Sequence, residues 1–169
     1  LFAIAAYTFD NNINRESNVY FALNKALRNR QSDPEQFKMW QGYLYYLLQA
    51  IEKLSKFQGQ VFRGGNQGLD QETVKREYKL GRPIQWAAFS STSQNEAASK
   101  QFVDKSKGVL FKITVVSGTD IGPYSHIPTE GEVLLSPNTR FTVTRELYTD
   151  DEGYSCVDLA ESKGVMLSS

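Results

Sequence analysis

The apolar residues of this chain change their spacing once, near Gly59, and that change restricts the folds open to it. Before Gly59 they recur at the three- and four-residue intervals of an amphipathic helix, and after it they fall into short β-rich runs. Val19, Leu23, Ala26 and Leu27 predict a first helix, with Asn14 or Ser17 available as its cap. Asp33-Pro34-Glu35-Gln36 predicts the start of a second. Asp33 stands at the cap, Pro34 where a missing N–H costs nothing, and Gln36 where a capping box wants it. Phe37, Trp40, Leu44, Leu47, Leu48, Ile51 and Leu54 then share one face, which predicts a core-facing helix.

Beyond Gly59 the first strand is expected at residues 60–63, ending at Gly64-Gly65. Asp70 caps a short charged helix that Gly81 stops, and residues 84–92 read as one strand. Ser93, with Glu96 three residues later, predicts another short helix carrying Ala97, Ala98 and Phe102. Val109, Phe111, Ile113 and Val115 alternate with Leu110, Lys112 and Thr114, the period of a half-buried strand. Further strands are expected at 132–135 and 140–147, and Asp150-Asp151-Glu152-Gly153 turns the last of them into 154–159. Helices come first and strands afterwards, without the alternation that builds a parallel sheet. That order predicts an α+β fold, with helices packed on a mainly antiparallel core. The 169 residues suit one core, and no repeat, low-complexity tract or linker divides them, so a single domain over 1–169 is expected.

Several function classes are disfavoured by composition. Nineteen basic residues balance nineteen acidic ones, so no global field draws the chain to nucleic acid or an anionic membrane, and a small molecule or a protein is the expected partner. A monomer is the default. Cys156 is the only cysteine and reads as a small buried apolar residue, which leaves no internal disulfide and no cysteine-based metal site. His126 is the only histidine, so a multi-histidine metal centre or a Ser/His/Asp triad would rest on one loop residue, and no metal is expected. No apolar stretch is long enough to cross a bilayer as a helix. The chain begins without methionine, which suggests a processed protein or an excised domain with any signal or anchor outside it.

Three polar interruptions of apolar strands carry the candidate chemistry. In Val61-Phe62-Arg63-Gly64-Gly65 an arginine closes a strand and two glycines follow. Arg63 offers fixed donors suited to a diphosphate, and glycine lets backbone amides approach a ligand, although Arg-Gly at a strand end is more often a plain turn. In Phe89-Ser90-Ser91-Thr92-Ser93, Ser93 is explained as a cap and Thr92 as a strand residue, which leaves Ser91 without a local reason. In Thr129-Glu130-Gly131-Glu132-Val133-Leu134-Leu135, side chains two apart on an extended chain face one space, so Glu130 and Glu132 should share one. Taken singly, that segment also fits an acidic turn before an edge strand.

In this order, an arginine at a strand end, aromatic-x-Ser-Thr-Ser, and Glu-x-Glu before an aliphatic strand, the chain resembles the arginine-specific mono-ADP-ribosyltransferases of the Arg-Ser-Glu class. That class includes vertebrate ecto-enzymes and cholera-toxin-like and actin-modifying toxins. The resemblance runs from about Tyr7 through the strand after Arg140. It implies the ADP-ribosyltransferase fold, with N-terminal helices packed on two mainly antiparallel sheets that form an NAD cleft. It implies NAD+ as co-substrate, an arginine-bearing protein as acceptor and no metal.

Residue by residue, the resemblance assigns Arg63 to the NAD+ diphosphate and Gly64 to the nicotinamide carboxamide through its backbone. Ser91 would hold the catalytic glutamate, and Phe102 falls where the family stacks an aromatic on nicotinamide, although it also fits the buried face of its helix. Glu132 matches the catalytic glutamate, and Glu130 the glutamate that distinguishes arginine-modifying members. The loop from Tyr124 to Thr129 matches one that faces the protein substrate, and Tyr124 and His126 are equally well read as ordinary loop residues. The lone Cys156 departs from the paired cysteines of the vertebrate ecto-enzymes, which argues against a cell-surface protein and towards an intracellular enzyme, a toxin-like effector or a non-vertebrate relative; a secreted or effector-like setting is the expectation. Two other readings share most of the site: an NAD+ glycohydrolase, with water as acceptor, and a catalytically silent NAD- or protein-binding module.

Overall fold

The computed structural model describes residues 2–8, 17–65, 69–124 and 131–162. Its first layer is helical: α1 (Phe2–Thr8), α2 (Val19–Arg28) and α3 (Pro34–Glu52). Asp33 caps α3 as its sequence requires, accepting the Gln36 N–H at 3.2 Å. The cap of α2 is Asn18, whose side chain makes no capping bond; Ser17 does not serve, and Asn14 lies outside the described residues. α1 carries no periodic signal in the sequence. Seven residues are too few for a periodic pattern, and the helix depends on burying Ile4 and Tyr7 against its neighbours. Tyr43 of α3 donates its hydroxyl to the Ala3 carbonyl, and burial pushes its pKa up to about 12.

The second layer is strand: β1 (Lys56–Gly65), β2 (Pro83–Trp86), β3 (Ser90–Ser93), β4 (Val109–Asp120), β5 (Glu132–Leu135), β6 (Thr139–Thr149) and β7 (Ser155–Glu161). Hydrogen bonds connect them in the order β1-β3-β5-β4-β7-β6-β2, and β1 also pairs with β4. The two sheets that the resemblance implies correspond to two arms of this one network. One holds β1, β3, β5 and the end of β4; the other holds β4, β7, β6 and β2. Among the described residues every pairing is antiparallel except β4 with β7. Twelve-residue β4 reaches both arms, pairing Leu110 to Thr114 with β7 and Thr119 and Asp120 with β5.

Two expectations are corrected here. Residues 84–92 are not one strand, because the chain crosses from the far arm (β2, paired with β6) to the near arm (β3, paired with β1 and β5). The crossing is fixed by burial of Ala88 and Phe89 against the helices and by the Phe89 N–H, which donates to the Asn24 side chain at 3.1 Å. The short helix α5 (Glu96–Lys100) is capped by Asn95 instead of Ser93, Asn95 accepting the Ala98 N–H at 3.1 Å. Ser93 closes β3 and accepts the Asn95 N–H, so it lies two residues too early to cap. α5 ends at Lys100, and Phe102 stands in the following turn with 67% exposure, not on a buried helix face.

Two apolar clusters lie on opposite sides of the near arm. Val61, Phe111, Ile113, Val133, Leu135, Phe141 and Val157 pack beneath α4 (Gln71–Glu77), whose Asp70 cap accepts the Thr73 N–H at 2.9 Å. Leu134, Ile121 and Phe89 instead join Ile4, Leu23, Leu47 and Ile51 of the helical layer. Cys156 is buried with Phe62, Val103 and Leu110, and burial pushes its thiol up to about 11. Phe111 is fully buried, with ring centroids 5.6 Å from Tyr78 and 5.5 Å from Trp86. Phe111→Ala should therefore destabilise the chain by about 3–5 kcal/mol, read as a lower urea midpoint with an unchanged slope.

Candidate active site

The near arm presents its candidate groups by strand register. Ser91 lies opposite Leu134 and Ser93 opposite Glu132 across the β3–β5 ladder. Opposed residues share a face, as do residues two apart, so Ser91, Ser93, Glu132 and Leu134 project to one side. Leu134 is buried in the helical cluster, which identifies that side as the one towards α1, α2 and α3. Ser91 and Glu132 are half-buried at its rim. Thr92 points the other way and donates its hydroxyl to the Val133 carbonyl at 2.6 Å. The Glu132 carbonyl accepts the Ile121 N–H at 3.1 Å, which ties the start of β5 to the end of β4.

Arg63 comes from the end of β1, and its Nη1 donates to the Ser91 carbonyl at 2.9 Å. Burial pushes its pKa down, Tyr7 pulls it back up and nearby Arg28 depresses it further. A guanidinium remains charged under such shifts, so Arg63 and exposed Arg28 form a region of positive potential that suits a diphosphate.

Tyr7 of α1 reaches the same space. Its hydroxyl accepts from Asn24 Nδ2 at 3.1 Å, and its pKa is raised by burial, lowered by Asn24 and Arg63, and raised by Glu132. Asn24 links this tyrosine to the strand crossing, because its Oδ1 accepts the Phe89 N–H just before β3. Tyr7, Asn24 and Arg28 were missed in the sequence. A signal existed for Asn24, a weak helix former in the middle of a helix and beside its apolar face. None existed for Tyr7 while α1 itself was invisible.

Gly64 and Phe102, assigned to one ligand by resemblance, are neighbours in space. A Cβ built on Gly64 would stand 2.8 Å from Val103 Cγ2, 3.1 Å from the Ser99 carbonyl and 3.5 Å from Phe102 Cβ. Only glycine fits beneath that turn. Glu130 and His126 lie outside the described residues, as does most of the loop from Tyr124 to Thr129. Tyr124 itself closes a 3-10 turn, Gly122–Tyr124, and is 40% exposed. Gly131 has φ 58°, and its carbonyl accepts the Gln94 N–H at 3.1 Å. The extended path assumed across 130–132 therefore breaks at Gly131, and β5 begins at Glu132.

Residues 1–165 match the family model for NAD:arginine ADP-ribosyltransferase. The chain is 32% identical over 144 residues to Mav of Mycobacterium avium (strain 104), which bears the name of an NAD(+)–arginine ADP-ribosyltransferase; the match covers 84% of this chain and 16% of Mav. It is 29% identical over 166 residues to human ecto-ADP-ribosyltransferase 5, covering 93% of this chain and 52% of that one. The chain thus spans 16% and 52% of the length of these two relatives.

Among solved structures, the ADP-ribosyltransferase Vis of Vibrio splendidus shares the fold. Its complex with M6 inhibitor has a TM-score of 0.73 at 20% identity, covering 99% of this chain and 74% of Vis. The Vis complex with agmatine has a TM-score of 0.65 at 22% identity, covering 86% and 69%. A family match running almost end to end, on a chain whose fold is also that of a solved ADP-ribosyltransferase, leads to one conclusion: this chain belongs to the NAD:arginine ADP-ribosyltransferase family.

Proposed function

We propose that this chain acts as one catalytic domain, a monomer, that cleaves NAD+ between nicotinamide and ribose and transfers ADP-ribose to an arginine side chain of a protein. The observation that carries the reading is the register of β3 on β5, which puts Ser91 and Glu132 on one face while Arg63 bonds to the Ser91 carbonyl. Family membership supports the substrate class, and the structure of Vis with agmatine, a guanidine, supports an arginine acceptor. Relatives named for ecto-enzyme and toxin roles support a secreted or effector-like setting.

In this reading Arg63, with Arg28 beside it, takes the diphosphate. Gly64 presents its backbone to the nicotinamide carboxamide, and Phe102 offers its exposed ring to the nicotinamide face. As the C1–N bond breaks, its electron pair leaves with nicotinamide, and positive charge spreads over the ribose C1 and ring oxygen. A carboxylate bonded to the 2-hydroxyl stabilises that state, which is the role of Glu132, and the Ser91 hydroxyl orients it. Guanidinium is a poor nucleophile because it is protonated, so Glu130 pairs with it and takes the proton as the new C–N bond forms at C1. The loop from Tyr124 to Thr129 meets the protein substrate.

Incubation with labelled NAD+ and a soluble guanidine tests the reading directly. Label on the guanidine is expected; free ADP-ribose alone would point to a glycohydrolase, and unchanged NAD+ to a silent module. Glu132→Gln should lower the cleavage rate on the order of a hundredfold or more and leave NAD+ binding much less affected. Glu130→Gln should preserve NAD+ hydrolysis and abolish transfer to arginine, and equal loss of both would contradict the role given to Glu130. Gly64→Ala should raise the KM for NAD+, because its methyl displaces the 99–103 turn, and should destabilise the chain by about 1–3 kcal/mol in thermal unfolding.

A further inference from the structure

The connector from β3 to β4 carries Phe102, and one buried cation anchors it to a hairpin distant in sequence. Lys100, the last residue of α5, has a side chain only 10% exposed. Its Nζ lies 3.0 Å from Asp150 Oδ2, 3.2 Å from Glu152 Oε1 and 3.4 Å from Glu96 Oε1, and 5.1 Å from the Tyr154 ring centroid. Asp150 is also nearly out of water, at 11% exposure. Exposed ion pairs hold little because solvent screens them, whereas loss of Lys100 would leave the nearly buried Asp150 carboxylate without its cation.

The two oxygens of Asp150 have separate duties. Oδ1 accepts the backbone N–H of Glu152 at 3.0 Å and of Tyr154 at 2.8 Å, which shapes the β6–β7 turn, while Oδ2 takes the lysine. On the other side of Lys100 the chain turns at once into the candidate site. The Phe102 N–H donates to the Ser99 carbonyl at 3.2 Å and the Val103 N–H to the Lys100 carbonyl at 3.1 Å. Ser99 Oγ donates to the Phe62 carbonyl, and Val103 and the Ser99 carbonyl close over Gly64. The turn that presents Phe102 thus grows directly from the anchored residue.

We propose that Lys100 is a positioning residue for the NAD+ site: its ionic bond to Asp150, across from the reacting groups, holds the Phe102 turn in place over Gly64. The inference rests on the proposed function, since it gives that turn a ligand to meet. Lys100 touches no reacting atom in this scheme, so its loss acts on binding before it acts on the chemical step.

The test measures NAD+ binding by intrinsic fluorescence, and the KM and kcat of NAD+ cleavage, for the full chain and its Lys100→Met, Lys100→Arg, Asp150→Asn, Phe102→Ala and Lys100→Met/Phe102→Ala variants. Lys100→Met and Asp150→Asn should raise KM and Kd for NAD+ by roughly tenfold to a hundredfold with a smaller change in kcat. Lys100→Arg should restore most of the affinity, and in the Phe102→Ala background Lys100→Met should add little. Asp150→Asn keeps an oxygen for the two backbone bonds, so the hairpin survives even where Lys100→Met does not fold. Unchanged KM in folded Asp150→Asn, or additive effects of Lys100→Met and Phe102→Ala, would overturn the inference alone. An unsubstituted chain that neither binds nor cleaves NAD+ would overturn the proposed function and this inference with it.

Discussion

β5 is four residues long, and three of them are buried on alternating sides, Val133 and Leu135 in one cluster and Leu134 in the other. A slip of one residue would carry Leu134 into the sheet cluster and its neighbours into the helical one, so neither side would pack. The strand is held further by pairing on both edges, with β3 and with the end of β4. Glu132, its first residue, therefore has no freedom of register. In the proposed mechanism the carboxylate that stabilises the developing charge must stand in place before that charge appears, and packing supplies the fixity that a loop could not.

The polar groups gathered on the Glu132 side of the near arm come from both layers, two helices and two strands. α1 contributes Tyr7, α2 contributes Asn24 and Arg28, β1 contributes Arg63 and β3 contributes Ser91. Asn24 has bonds in two directions, to Tyr7 and to the Phe89 backbone, so the helix that frames one wall also sets where the chain crosses into β3. Half-burial has an electrostatic consequence as well. Solvent screens Arg63 less than it would on an open surface, which strengthens any interaction with an anion placed beside it.

The contacts around α5 are organised differently. α5 is joined to the β6–β7 hairpin by charges grouped around Lys100, and Lys112 extends the group by reaching Glu96 at 3.3 Å. Arg145 stacks on Tyr148 with its guanidinium carbon 3.6 Å from the ring centroid, and the Tyr148 hydroxyl donates to Asp158 at 2.7 Å. α5 is five residues long and has little stability of its own, so its place depends on these contacts and on the strands beneath it.

What the sequence determined by itself was whatever local chemistry enforces. The long apolar stripe and the Asp33 cap specify α3, alternation specifies β4, and the ordering of helices before strands specifies the α+β class. Ser91 stood out because it lacked a local explanation, and Arg63 and Glu132 because of the order in which they flank it. Tertiary structure decided the rest. Residues 84–92 are apolar enough for one strand, and only the competition of two arms for their ends breaks them. α1 is too short to announce itself and exists because Ile4 and Tyr7 find a cluster to enter. Phe102 has the spacing of a buried helical residue and stands in solvent because α5 stops at Lys100. The pairing of Lys100 with Asp150 joins residues fifty positions apart, and no local pattern encodes it. Short-range preferences choose elements, but which faces meet depends on burial shared by the whole chain, and the site is assembled from those meetings.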